Sequence, residues 1–207
     1  CMYEALKSID VPDFEFQFNN RKILNGYFSN LGIEDFESCL RIIDKLDKIG
    51  IDNVKEELSK LDLDDEKIDS ILNFLKIDGT NQEIIEKLES LNIDNELFVC
   101  GLDELKFVYD DILSLGVSPD NIKINLSITR GLDYYTGSVF ETFFKEYREI
   151  GSICSGGRFD SLANNFTKSK LPGVGMSIGL TRLFYQLQEL NLVKGQQNNF
   201  DCIIIPM

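Results

Sequence analysis

Three clusters in the second half of the 207-residue chain bring together residue types that do chemistry. In Thr129-Arg130-Gly131-Leu132-Asp133-Tyr134-Tyr135-Thr136-Gly137 an arginine ends a predicted strand and two tyrosines follow it. A guanidinium is planar and permanently charged, so it suits a phosphate or carboxylate oxygen. Adjacent tyrosines offer flat apolar walls with hydroxyl tips, which suit a small ring-bearing ligand. The plainer alternative pairs Arg130 with Asp133 across a turn and packs the tyrosines in a sheet. In Ser155-Gly156-Gly157-Arg158-Phe159-Asp160, two glycines before an expected helix let backbone approach a ligand while Arg158 and Asp160 brace the loop. Its plainer alternative is a turn with a salt bridge.

The third cluster is Pro172-Gly173-Val174-Gly175-Met176-Ser177-Ile178-Gly179-Leu180-Thr181-Arg182. Its glycine spacing has a superficial likeness to a dinucleotide loop, but that loop follows a parallel strand and opens the helix of a βαβ unit. Here the glycines lie within the strand, and no P-loop sequence occurs anywhere. What remains is a glycine-spaced strand with room for a flat ligand, followed by Arg182 in the first turn of a helix. A cation is disfavoured there by the helix dipole, so its position asks for a separate reason.

Composition removes whole classes of function. Histidine is absent, which excludes Ser-His-Asp and Cys-His nucleophile systems and any zinc site that uses histidine. Cys1, Cys39, Cys100, Cys154 and Cys202 are far apart and never form a C-x-x-C pair. They are expected to be scattered buried thiols, with no disulfide framework and no metal cluster. The formal charge of −14 is uneven: residues 1–120 carry 28 acidic and 12 basic residues, residues 121–207 carry 7 and 9. Charge alone therefore does not make the chain a nucleic-acid binder, although its second half tolerates a polyanion. No run approaches the ~20 apolar residues of a membrane span.

The elements that must position the clusters follow from periodicity. Asp13–Phe18 alternates apolar and polar residues, which predicts a strand with one buried face, followed by a turn at Asn19-Asn20-Arg21 and a helix from Lys22 to Leu31. From Ile33 to Gly116 the pattern becomes helical and acidic. Phe36, Leu40 and Ile43 form one stripe, Ile68, Ile71, Leu72 and Leu75 a second, and Leu105, Tyr109, Ile112 and Leu113 a third. Thr80-Asn81-Gln82-Glu83 reads as a capping box. Period two returns at Ile122–Ile128, at Ser138–Phe144 and from Gly151, before a helix from Leu180 to Leu190. Short returns at Tyr134–Gly137 and Lys145–Ile150 imply antiparallel neighbours. The expected class is α+β: an antiparallel sheet flanked by helices, with an all-helical insertion. Cys1 opens directly into helical residues and Phe200–Pro206 ends the chain on a strand pattern, so a piece of a longer protein is expected.

Arg130–Gly137, Ser155–Asp160 and Gly173–Leu183 resemble, in order, the two histidine-specific motifs and class II motif 3 of histidyl-tRNA synthetases. Asn19–Gly26 is similar to the same family, and Phe159 stands where the family usually has Tyr. The resemblance implies part of a class II sheet and ATP-dependent ligation of L-histidine to tRNA(His) through a histidyl-adenylate, with ATP and Mg²⁺. It further implies a cytoplasmic homodimer without a membrane partner. Carried over, Arg130 contacts the substrate carboxylate and the α-phosphate as the catalytic group. Tyr134 and Tyr135 line the imidazole pocket, and Gly175, Gly179 and Arg182 serve ATP. No metal ligand is assigned. Residues 1–32 and 121–194 would be two parts of the catalytic domain, 33–120 the helical insertion that approaches the tRNA acceptor end, and 195–207 a linker and the start of an anticodon-binding domain. Motifs 1 and 2 would precede Cys1. The alternative implied is a synthetase-like regulatory subunit of ATP phosphoribosyltransferase, for which Arg182 has little use.

Overall fold

A computed structural model of the chain describes residues 1–129 and 134–193. The alternation near Asp13 becomes β1, Phe14–Asn20. It lies inside a sheet of order β2-β1-β3-β4-β5, in which β2 is Ile122–Ile124, β3 Ser138–Phe144, β4 Cys154–Phe159 and β5 Gly173–Ile178. Its interior place explains why apolar and polar residues alike are buried along its second half.

The pairs β1–β3, β3–β4 and β4–β5 are antiparallel as expected, but β2 runs parallel to β1. The sheet is therefore mixed. The reason lies in the connection: the chain leaves β1 through a long series of helices before it returns, and a crossover of that length permits parallel pairing. The strand expected over Ile122–Ile128 also stops at Ile124. Asn125 folds its side-chain oxygen back to accept from the Ser127 amide at 3.0 Å and hydroxyl at 2.7 Å. Leu126 and Ile128 stay buried without a ladder partner.

A second correction concerns Gly156 and Gly157, which lie inside β4, not before a helix. A Cβ on Gly156 would come within 2.6 Å of the Phe140 ring, and one on Gly157 within 2.9 Å of the Tyr135 ring. The pair serves close packing within the sheet.

The helices are α1 Met2–Ser8, α2 Arg21–Asn30, α3 Phe36–Ile43, α4 Leu46–Leu58, α5 Asp65–Leu75, α6 Asn81–Ser90, α7 Glu96–Ser114 and α8 Leu180–Glu189. Thr80 and Glu83 close a reciprocal capping box at the start of α6. Gly116 takes a positive φ of 84° just beyond α7, as a helix-ending glycine does. The helical stripes do not form a core of their own. Ile43, Leu58, Ile71, Leu88 and Leu105 share one buried cluster with Phe18, Ile122 and Ile124 of the sheet. At the other end of the same sheet face, Met2, Leu6, Phe14, Phe144, Cys154 and Leu183 form a second cluster. The opposite face carries Gln17, Glu141, Ser155 and Ser177, which register side by side across four strands. Cys39 and Cys154 are buried and Cys1 and Cys100 exposed, so burial holds for only part of the thiols. Among the described residues no helix is long and apolar enough to cross a membrane.

A tight seam joins α2 to α7. A Cβ on Gly26 would lie 2.4 Å from the Phe98 backbone nitrogen, and one on Gly101 2.7 Å from that of Ile23. Helix propensity alone favours Gly26→Ala by about 1 kcal/mol. The backbone collision opposes it and decides the sign. Gly26→Ala should destabilise the chain by about 1–3 kcal/mol in denaturant unfolding, and a variant as stable as the parent would show that the seam gives way.

Candidate functional site

The site is anchored where β1 ends. Asn19 is fully buried and its amide donates to the carbonyl oxygens of Leu126 at 3.0 Å and Ile128 at 3.2 Å. It supplies the partners that a ladder would otherwise give this stretch, and so fixes the chain that leads to Arg130. Asn20 caps α2 by accepting from the Lys22 amide and donates to the Glu104 carboxylate on α7 at 2.7 Å. The Arg21 amide donates to the Gly137 carbonyl at 3.0 Å. Three consecutive residues thus tie together the approach to Arg130, the helical block and the segment that enters β3.

That segment carries the tyrosines. The Thr136 amide donates to the Arg158 carbonyl at 2.9 Å, and its hydroxyl donates to Asp160 at 2.5 Å. Arg158 closes the clamp with an ion pair to Asp160 at 2.9 Å. Tyr135 then lies over Gly157, and Tyr134 meets Phe159 edge to face with ring centres 6.1 Å apart. The two tyrosine rings are 4.6 Å apart at 59°. Partial burial, with a hydrogen bond between the two phenols, pushes the Tyr135 hydroxyl up to about 12. It is neutral at physiological pH and able both to donate and to accept.

Two adjoining cavities open on this side of the sheet. The larger, about 810 Å³, is lined by Tyr134 and Tyr135, by Arg21, by Ser155 and Ser177 of the sheet, and by Arg41 from α3. The smaller, about 450 Å³, is lined by Arg182, Glu141, Arg148 and Lys48 among others. Asp44 and Thr129 line both. The Thr129 hydroxyl donates to the Leu40 carbonyl at 3.3 Å, which pins α3 against this junction. Arg182 has its separate reason to open α8: it donates to the Ser152 carbonyl at 3.1 Å and faces the smaller cavity.

The tyrosines and Arg182 therefore border neighbouring cavities. Arg130 and Asp133 lie outside the described residues. Gly179 stands beside Arg182, whose Cβ would be 3.7 Å from a Cβ there, and Gly175 packs by the Phe159 ring. Neither glycine lines either of these two cavities. Sequence reasoning included Thr129 in the first cluster without giving it a role, and missed Asp44, Arg148 and Lys48, whose types are ordinary for loops and acidic helices. Asn19 was within reach, since two successive amides beside a buried strand ask for partners.

A family model described as histidyl-tRNA synthetase matches residues 1–183. The histidine–tRNA ligase of Finegoldia magna is 89% identical over all 207 residues, which span 48% of its length. A crystal structure of histidyl-tRNA synthetase from Nostoc sp. PCC 7120 superposes with a TM-score of 0.90 at 41% identity, covering 93% of this chain and 46% of that one. A structure from Bacillus halodurans titled as an ATP phosphoribosyltransferase regulatory subunit/histidyl-tRNA synthetase has a TM-score of 0.70 at 24% identity, a likeness that shows the fold alone. The chain spans about half the length of the curated relatives it matches.

The clamp on the tyrosine segment is pH-sensitive. The Thr136 hydroxyl and the Arg158 guanidinium hold the Asp160 carboxyl below its ordinary value. A lowered folded value means that the contribution is complete above the unfolded value and is lost as pH falls through the folded one. Asp160→Asn should cost about 1 kcal/mol or less at pH 7, since the group is partly exposed. The gap should shrink as pH falls below the ordinary aspartate range and through the lowered folded value, where the parent's carboxyl is itself protonated. A gap that stays constant down to pH 2 in thermal unfolding would assign the loss to another cause.

Proposed function

The chain belongs to the histidyl-tRNA synthetase family, and on that premise we propose that it forms part of an enzyme that joins L-histidine to tRNA(His). The observation that carries the reading is the pair of cavities meeting at Thr129 and Asp44. One has flat phenolic walls of a size to hold an imidazole ring, and the other has guanidinium groups for a nucleotide.

In the first step the histidine carboxylate attacks the α-phosphorus of ATP. The bond to the bridging oxygen breaks, pyrophosphate leaves and histidyl-adenylate remains. In the second, a terminal ribose hydroxyl of the tRNA attacks the acyl carbon and AMP leaves. The first step needs in-line positioning and charge neutralisation more than proton transfer, which fits a chain without histidine. Tyr134 and Tyr135 line the imidazole pocket, and a neutral Tyr135 hydroxyl has the hydrogen-bonding capacity to meet a ring nitrogen. Arg182 covers the nucleotide, and Gly175 and Gly179, which line neither of the two cavities, are assigned to ATP by resemblance alone. Arg130 is assigned to the carboxylate and α-phosphate by resemblance. Its flanking residues Thr129 and Tyr134 both line the tyrosine cavity, which supports that role.

Among the described residues no three carboxylate or thiol groups lie close enough to hold a metal ion. Mg²⁺ is read as arriving with the nucleotide, held by its phosphates. The helical block, residues 33–120, approaches the tRNA acceptor end. Residues 1–32 and 121–194 belong to the catalytic domain, and 195–207 lead into an anticodon-binding domain. The longer protein is a cytoplasmic homodimer.

The longer protein should catalyse histidine-dependent ATP–pyrophosphate exchange, and Arg130→Ala or Arg182→Ala should lower it by about 10²-fold or more. Unchanged exchange in either variant removes that residue from its role. The 207-residue chain alone should show no measurable exchange, and robust activity would contradict the view that residues outside it complete the pocket.

A further inference from the structure

Arg148 is absent from the three motif clusters, yet it is held more firmly than an ordinary surface arginine. It sits in a single turn of 3-10 helix, Arg148–Ile150, between β3 and β4. Its Nη2 pairs with Glu15 Oε1 at 2.5 Å, and Glu15 in turn accepts from the Gln17 amide at 2.8 Å. Gln17 is itself fixed by the Asn125 amide, also at 2.8 Å. The guanidinium lies 5.4 Å from the centre of the Phe143 ring. An exposed ion pair contributes little to stability, about 0–1 kcal/mol. What such a relay of side chains does well is hold one fork in one orientation at a cavity mouth.

The smaller cavity receives three cations from three separate elements: Lys48 from α4, Arg148 from the turn after β3, and Arg182 from α8. Its lining also carries Asp44, Glu141 and Glu149, so cations and carboxylates balance three to three. A balanced lining exerts little net pull at a distance. An anion is then recognised by direct contact with the individual cations, and losing any one of them leaves the lining net negative. We propose that Lys48 and Arg148 join Arg182 as contacts to the polyphosphate of the bound nucleotide. The inserted helical block would thereby supply one wall of the nucleotide site through Lys48. This rests on the reading of the smaller cavity as the nucleotide cavity, and adds to it two residues and the block that carries one of them.

The test is an NMR titration of the longer protein with ATP and, separately, with inorganic tripolyphosphate at millimolar concentrations. Both probes should shift the amides of Ser127–Thr129 and Ile150–Ser152. Lys48→Ala and Arg148→Ala should each weaken both probes by about three- to tenfold. Arg148→Lys, which keeps the charge without the fork, should fall between. Glu149→Gln should tighten tripolyphosphate, and Lys60→Ala, a charge change on an exposed lysine paired with Glu57 outside the cavity, should leave both affinities unchanged. If Lys48→Ala and Arg148→Ala bind both probes like the parent while Arg182→Ala does not, the inference is wrong and the nucleotide reading survives. If neither probe shifts these amides in the parent, the nucleotide reading itself fails, and the inference with it.

Discussion

Two buried amides at the end of β1 hold the rest of the ligand-facing side in place. Asn19 replaces a strand ladder for the carbonyl groups of Leu126 and Ile128, and Asn20 links the start of α2 to Glu104 on α7. An unsatisfied buried carbonyl or amide costs more than a satisfied one contributes. The chain therefore has few alternatives to this arrangement once β1 is buried. The Arg21 amide extends it to Gly137, so the residues before and after Arg130 are located from the junction of β1 with α2.

The second constraint is the separation of the two sheet faces. Phe14, Phe18 and Phe144 turn to the helices and form the core, while Gln17, Glu141, Ser155 and Ser177 turn the other way. Polar groups gathered on one face need ligands, water or one another. The cavities lie above them, with α3 and α4 from the helical block as a further wall. On the proposed reading, the acidic charge of the first half does not prevent anion binding, because the cations lining the smaller cavity come singly from separate elements.

Much of this was legible locally. Ser138–Phe144 alternates and is β3, the glycine-spaced run is β5, and Arg182 does open a helix that has a use for it. The parallel partner of β1 was not legible, because strand pairing across the helical block depends on contacts more than a hundred residues apart. The Gly156-Gly157 pair misled for a different reason. Two glycines look like a turn, but here the missing Cβ atoms make space for the Phe140 and Tyr135 rings, a requirement set by β3 and the segment that enters it. The roles of Arg148 and Lys48 were equally hidden, since each is ordinary in its own segment and acquires meaning only beside Arg182.

The central claim is that the phenolic cavity and the guanidinium cavity act as one site across the Thr129–Asp44 junction. A crystal structure of the longer protein with a non-hydrolysable histidyl-adenylate analogue tests it most directly. The imidazole should lie against Tyr134 and Tyr135 with the nucleotide reaching Arg182 in the same molecule. An analogue bound on another surface, with both cavities left empty, would contradict the account.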